Sequence, residues 1–166
     1  MKLELIDIFS TNGAAEDFEG DMVFDGESLL DMSVSFDGPA HIKGRAENIG
    51  GQVEISARVT AKILTNCARC MKEIFKDVDF EFTERVAGKG AAPEDGDDVI
   101  LLEGSEVDIA DLALNNFITV SPMKYLCKED CKGLCPHCGA DKNVTDCNCE
   151  DKTIDPRFDV LNDLFR

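Results

Sequence analysis

Positive charge is scarce in this chain. Its 166 residues carry 17 Lys and Arg against 34 Asp and Glu, a formal net charge of -17. Such a chain repels polyphosphate at long range, which argues against a broad electrostatic grip on nucleic acid. Long apolar runs are missing too. No window approaches a transmembrane span, and the opening Met-Lys-Leu-Glu-Leu-Ile-Asp has no apolar stretch of the signal-peptide kind. A cytoplasmic protein is therefore expected, with neither a membrane nor a small-molecule substrate as partner. Histidine is sparse: His41 and His137 stand far apart, so a Cys–His nucleophilic arrangement has little to be built from. There is no Gly-rich phosphate loop followed by lysine and a hydroxyl, and no internal repeat. Carboxylates are abundant, but abundance singles out no catalytic pair. A non-enzymatic protein is expected.

Cysteine, by contrast, is plentiful and clustered. Six of the eight fall between Cys127 and Cys149, as Cys127-x3-Cys131-x3-Cys135-Pro-His-Cys138-Gly139-x7-Cys147-Asn-Cys149. The other two form Cys67-Ala-Arg-Cys70. Two thiolates two residues apart on a tight turn grip one side of a tetrahedral metal, and a second pair closes the site. Cys135-Pro-His-Cys138-Gly139 has that form, with Cys147-x-Cys149 as the obvious second pair. Disulfide scaffolds are usually short, secreted and poor in core, whereas this chain is 43% hydrophobic. Zinc is the better expectation, though iron also suits four thiolates. Complete sets of four argue for closed, structural sites over catalytic ones.

The charge is unevenly spread. Residues 1–37 hold one basic and ten acidic side chains, and 84–111 hold two and nine. Residues 38–83 hold seven against six, and 112–166 seven against nine. Lys43, Arg45, Arg58, Lys62, Arg69, Lys72 and Lys76, then Lys124, Lys128, Lys132 and Lys142, lie in the middle and around the cysteines. Each alone reads as solvated surface. As a group they are the best candidates for RNA contact, with Arg69, Lys72, Lys76, Lys128 and Lys132 nearest the cysteines. The acidic ends suit a basic protein.

Hydrophobic periodicity indicates an α+β protein dominated by antiparallel strands, as a barrel or a sandwich. Val53, Ile55, Ala57, Val59, Ala61 and Ile63 alternate with polar residues, predicting a half-buried strand of about 12 residues. Met32, Val34, Phe36, Ala40, Ile42 and Ala46 keep a similar alternation, broken at Gly38-Pro39. Asn48-Ile49-Gly50-Gly51 suits a hairpin connection. Val78, Phe80 and Phe82 mark a further strand, which puts Cys67 and Cys70 on the turn between two antiparallel strands. Residues 88–104 turn small and acidic, predicting a flexible linker in which Val99 to Leu102 forms a short strand. Ser105 to Val120 carries a helical stripe (Ile109, Leu112, Ala113, Phe117, Val120), with Ser105 and Asp108 resembling a capping box. Asp155-Pro156 opens a terminal helix, whose stripe of Phe158, Leu161, Leu164 and Phe165 suits docking on the core. The expected division is a β-rich domain over 1–87, a linker over 88–104, and a helix, zinc module and terminal helix over 105–166.

This order of features resembles the YceD family of bacterial and plastid proteins. The most specific part is Cys131-Lys-Gly-Leu-Cys135-Pro-His-Cys138-Gly139, followed by Cys147-Asn-Cys149 and, before the last helix, Asp155-Pro156-Arg157. Asp141-Lys142-Asn143 takes the place of a commoner Asn-Leu-Asn. The family supports accumulation of large-subunit ribosomal RNA, and its members are not known as enzymes. The resemblance thus implies a factor for large ribosomal subunit assembly that binds large-subunit precursor rRNA, a basic ribosomal protein, or both. Some members lack the second knuckle, which implies two separable sites: Cys135, Cys138, Cys147 and Cys149 in one, and Cys67, Cys70, Cys127 and Cys131 in the other. The competing arrangement is a single zinc that uses Cys127 or Cys131 in place of one member of the Cys-x-Cys pair, with Cys67 and Cys70 free. The other functional class open to such cysteines is a thiol redox sensor or chaperone that releases zinc on oxidation.

Overall fold

The computed structural model describes residues 1–24, 33–88 and 98–149. Val53 to Ile63 lie inside β5, which runs Gln52–Asn66. Along its whole length β5 pairs antiparallel with β6 (Glu73–Ala87). Its other edge is shared, first by β4 (Ala40–Asn48) and then by the short β3 (Val34–Phe36). The acidic β2 (Ala15–Met22) adds to β4, and β7 (Val99–Leu101) adds parallel to β6. The order β2-β4-β5-β6-β7 leaves the six-stranded sheet open, with β3 off the path on β5. A separate ladder pairs β1 (Lys2–Glu4) with β8 (Glu106–Asp108). Helix α1 (Ile6–Ser10) follows β1, and α2 (Ile109–Val120) follows β8.

The alternation has its usual consequence. Ala40, Ile42, Ala46, Val53, Ile55, Val59 and Ile63 turn to one face and are buried, while charged residues occupy the other. That apolar face shares one core with Leu5, Ile8, Val107 and the α2 stripe of Ile109, Leu112, Ala113 and Phe117. The Phe117 ring lies 5.1 Å from Phe36 and 6.1 Å from Phe80, centroid to centroid. Burying a phenylalanine contributes about 1.5–3 kcal/mol, so α2 is held by this stripe and the short helix need not be stable alone.

The hairpin at Asn48-Ile49-Gly50-Gly51 joins β4 to β5 as expected, with Asn48 opposite Val53. Asn48 is buried; its Oδ1 accepts from the Gly50 and Gly51 N–H groups, and its Nδ2 donates to the Ile8 and Phe9 carbonyls. One side chain thus fixes the turn and ties α1 to it.

The helix begins later than the sequence suggests. Ser105 to Asp108 are not its first turn: Glu106, Val107 and Asp108 are extended against Glu4, Leu3 and Lys2. Asp108 is itself the N-cap, accepting from the Ala110 N–H at 2.9 Å. The Ser105 carbonyl accepts instead from the Leu5 N–H. The pairing partner lies a hundred residues away, so no local pattern signals it. Within the expected linker, Val99–Leu101 belongs to the sheet, and the Leu102 N–H reaches the Ala87 carbonyl. Met32 and the expected terminal helix lie outside the described residues.

By internal contacts the chain forms two compact units. The first comprises Met1–Asn66 and Glu73–Tyr125, so α2 groups with the sheet. The second comprises Cys67–Lys72 and Leu126–Arg166. All eight cysteines therefore fall in the second.

Candidate metal centres

The second unit is assembled from two distant stretches of sequence by backbone bonds. At the first turn, the Met71 N–H reaches the Cys67 carbonyl at 2.9 Å, and the Cys67 N–H reaches that of Lys72 at 2.8 Å. At the other, the Gly139 N–H reaches the Cys135 carbonyl at 2.9 Å, and the Cys135 N–H reaches that of Ala140 at 2.8 Å. These turns are alike in conformation. Met71 at φ 60° stands where Gly139, at φ 74°, stands in the second, so the first knuckle carries a side chain in the left-handed region that usually falls to glycine. Arg69 joins the first turn to the 127–135 segment. Its guanidinium donates to the carbonyls of Cys131 at 2.8 Å and Glu129 at 3.3 Å, and its own carbonyl accepts from the Leu134 N–H at 3.0 Å. Gly133 makes this approach possible: at φ 74° it has no Cβ, and one added there would sit 2.9 Å from the Arg69 oxygen.

The sulfurs gather in two sets. Those of Cys67, Cys70, Cys127 and Cys131 lie within 4.8 Å of one another, as do those of Cys135, Cys138, Cys147 and Cys149. Cys67 to Cys131 is 3.8 Å and Cys70 to Cys127 is 3.7 Å, sulfur to sulfur. A tetrahedron of thiolates with metal–sulfur bonds of about 2.3 Å has edges of about 3.8 Å, whereas a disulfide is about 2.05 Å long. All eight cysteines are free. The donor sets and their spacing fit two metal ions held by four thiolates each. The sets differ in shelter. In the first, Cys67, Cys70 and Cys131 are buried; in the second only Cys135 is, and Cys138 is exposed.

The protonation pattern of the metal-free thiols follows from this crowding. Burial raises the Cys67 thiol, but backbone N–H groups of Cys70, Cys127 and Arg69 outweigh it and bring it down to about 6. Backbone N–H groups of Cys138 and His137 likewise bring Cys135 down to about 6, against burial. Within the same sets, burial and the neighbouring sulfurs of Cys131, Cys70 and Cys67 push Cys127 up to about 12. The Cys138 sulfur, then burial and Cys135, push Cys149 up to about 12. Each set gives up one proton readily and holds another firmly. A divalent cation relieves the repulsion that makes the last thiolate unfavourable.

Asn143 was not singled out by spacing. Its Nδ2 donates to the Cys131 Sγ at 3.4 Å and to the Asp141 Oδ1 at 2.7 Å, while its Oδ1 accepts from the Lys132 N–H at 2.9 Å. The signals in the sequence are an Asx residue in the loop after a knuckle, which fits many roles, and the place of that loop in the family resemblance.

The basic residues divide into two groups. On the outer face of the sheet, β4 lies between acidic strand β2 and strand β5. Lys43 faces Glu19 at 3.2 Å, Arg45 faces Asp17 at 2.9 Å, and Arg58 faces Asp79 at 2.6 Å. Such exposed pairs contribute little stability, but they cancel the stripe's positive field. Among the residues nearest the cysteines, Arg69 is engaged by carbonyls, and Lys128 lies 3.7 Å from Asp130. Lys72 and Lys132 are exposed on the second unit, and Lys76 is half-buried on β6. The charges of Lys128 and Lys72 help lower the Asp141 carboxyl, after the larger effect of hydrogen bonds from Asn143.

Fold and donor sets together define a β-sheet protein carrying a compact unit with two four-cysteine clusters. Residues 55–165 match the family described as "Large ribosomal RNA subunit accumulation protein YceD". The chain belongs to that family. It is 25% identical to the YlbN protein of Bacillus subtilis over 77% of its own length and 75% of the relative's. It is 27% identical to a Mycobacterium leprae protein, over 80% of this chain and 62% of that one. A Mycobacterium bovis protein is 28% identical, over 87% of this chain and 66% of its own length. The chain thus spans about two thirds of these mycobacterial relatives. No solved structure matches it. Among the described residues, no helix is long and apolar enough to cross a membrane.

Proposed function

We propose that this chain is a cytoplasmic, non-enzymatic factor supporting large ribosomal subunit assembly and accumulation of large-subunit rRNA, and that both cysteine sets hold structural zinc. The carrying observation is the family match, which runs through every one of the eight cysteines. Zinc, when bound, supplies the linkages that fold a segment too poor in apolar residues to fold on its own. Between 126 and 149, the large aliphatic side chains are Leu126, Leu134 and Val144, and Val144 is exposed. Zinc binding to such segments is worth on the order of 10 kcal/mol and becomes folding energy.

The factor acts by binding precursor rRNA, a basic ribosomal protein, or both. Its net charge of -17 suits a basic protein. Pairing of the sheet's cations supports a narrow RNA contact, centred on the exposed Lys72 and Lys132, over broad phosphate binding. The test is to tag the protein in its native cell, crosslink lightly, purify it, and profile the RNA and proteins recovered. Enrichment of large-subunit precursor RNA with a subset of its ribosomal proteins is expected, and it should weaken on charge reversal at Lys72 and Lys132. Recovery of diverse unfolded proteins, with no rRNA above control, would replace this reading with that of a zinc-thiolate redox chaperone.

A further inference from the structure

The two cysteine sets are not independent in the way their sequence spacing suggests. Asn143 lies between Cys138 and Cys147, in the loop that the exposed set closes, yet its amide N–H points at the sulfur of Cys131 in the buried set, 3.4 Å away. The loop is braced at both ends of this contact. Asp141 Oδ1 accepts from both the backbone N–H and the Nδ2 of Asn143, and Asp141's own carbonyl accepts from Val144 and Thr145. The Asn143 Oδ1 accepts from the Lys132 N–H, next to Cys131, and the Lys142 N–H reaches the Gly133 carbonyl. Only Lys132, Gly133 and Leu134 separate Cys131 from Cys135.

A thiolate bound to a divalent ion keeps excess negative charge, and an amide N–H donated to its sulfur stabilises it and fixes its orientation. Outer partners of this kind typically change metal affinity about 10–100-fold. The donor sits on the loop between Cys138 and Cys147, both ends of which carry sulfurs of the exposed set. We propose that Asn143 is a positioning residue that couples the two centres: filling of the exposed Cys135, Cys138, Cys147 and Cys149 set strengthens metal retention by the buried Cys67, Cys70, Cys127 and Cys131 set. The coupling is reciprocal in affinity. It is directional in practice, because the exposed set, with Cys138 at the surface, is the one a chelator or oxidant meets first. Loss of that ion then loosens the second. This inference rests on the metal-binding reading above.

The experiment follows release of zinc from the full-length protein to an excess of a chromogenic chelator, after counting bound metal. Wild type should carry two ions and release them in two phases. Cys67→Ser should carry one, and that ion, held by the exposed set with the buried set empty, should leave roughly 10-fold faster than the fast phase of wild type, in which the buried set is still filled. Asn143→Ala should accelerate the fast phase by a similar factor, and adding it to Cys67→Ser should change little further, since the two changes remove one contact. Two ions counted on Asn143→Ala before release check that its loop still closes. The coupling is overturned if the remaining ion of Cys67→Ser leaves at the wild-type fast rate, or if Asn143→Ala keeps its full effect in that background. Fewer than two ions on wild type would overturn the two-zinc reading along with it.

Discussion

The Arg69 guanidinium donates to the main-chain oxygen of Cys131, 2.8 Å away and 62 residues along the chain. A residue adjoining one cysteine of the buried set thus holds the backbone of another. Its second bond, to Glu129, and the Leu134 N–H on its own carbonyl make Arg69 the main polar tie between the two stretches of the second unit. Arg69→Ala is expected to cost that unit about 1–3 kcal/mol and to hasten chelator-driven metal loss. Arg69→Lys should recover little, because an ammonium cannot reproduce the planar fork. Unchanged release kinetics in both variants would show that the cysteines alone hold the unit together.

Asn48 plays the corresponding part in the sheet unit, with two donated and two accepted bonds at a buried position. Asn48→Ala leaves the Ile8 carbonyl and the Gly50 and Gly51 amides to find other partners. Urea unfolding of that unit should show a loss of about 1–3 kcal/mol. Asn48→Asp, which puts a buried carboxylate against the Ile8 and Phe9 carbonyls, should cost at least as much as alanine at neutral pH. An alanine variant as stable as wild type would mean that the two glycines hold the turn unaided.

Local periodicity made the central strands legible. Val53 to Ile63 and Val78 to Phe82 carry their alternation openly because each is buried on one face only. The hairpin at Asn48 was legible because a tight reversal needs those residue types. Cysteine spacing pointed to the knuckles, since two thiolates on one turn must lie close together. What stayed hidden depended on partners remote in sequence. Glu106-Val107-Asp108 reads as a helix start and is extended only because Lys2 to Glu4 lie beside it. The acidic β2 shows no strong apolar stripe, being an edge strand with exposed acids. The neutralised state of Lys43, Arg45 and Arg58 depends on strand order, which composition does not reveal. The family resemblance marked the loop of Asn143, but its contact was hidden for the same reason: its meaning lies in which sulfur the folded loop brings to it.

His41 gives the sheet face a titratable element. Its Nδ1 lies 2.9 Å from Asp21 and its Nε2 lies 3.3 Å from Glu19. The hydrogen bond with Asp21 raises the imidazole above its ordinary value against a smaller opposing effect of desolvation, helped by the charges of Asp21 and Glu19. A raised folded-state value means that the pair stabilises the fold fully below the unfolded-state value of about 6.5. That contribution disappears as pH rises through the folded value. Titration of the His41 ring by NMR should therefore show an elevated midpoint, and Asp21→Asn should lower it. A midpoint at the ordinary value in wild type would mean that solvent screens both carboxylates.

Metal removal tests the division of the molecule most directly. The sheet unit has its own apolar core, from Leu5 and Ile42 through Val59 to Phe117, and needs no cysteine to complete it. The second unit has its cysteines and little apolar mass. Chelation should therefore release zinc and unfold residues 67–72 and 126–149, seen as loss of amide protection there, while amides of β4, β5 and β6 stay protected. Proton competition should do the same as pH falls, because the ligands must be deprotonated to bind. At saturating zinc, Cys67→Ser should lower the bound metal from two ions to one, with the retained ion held less tightly by the factor that couples the sites. Simultaneous loss of protection in β5 and in the cysteine loops would show that the sheet depends on the metal, and two ions remaining on Cys67→Ser would remove Cys67 from the ligand set.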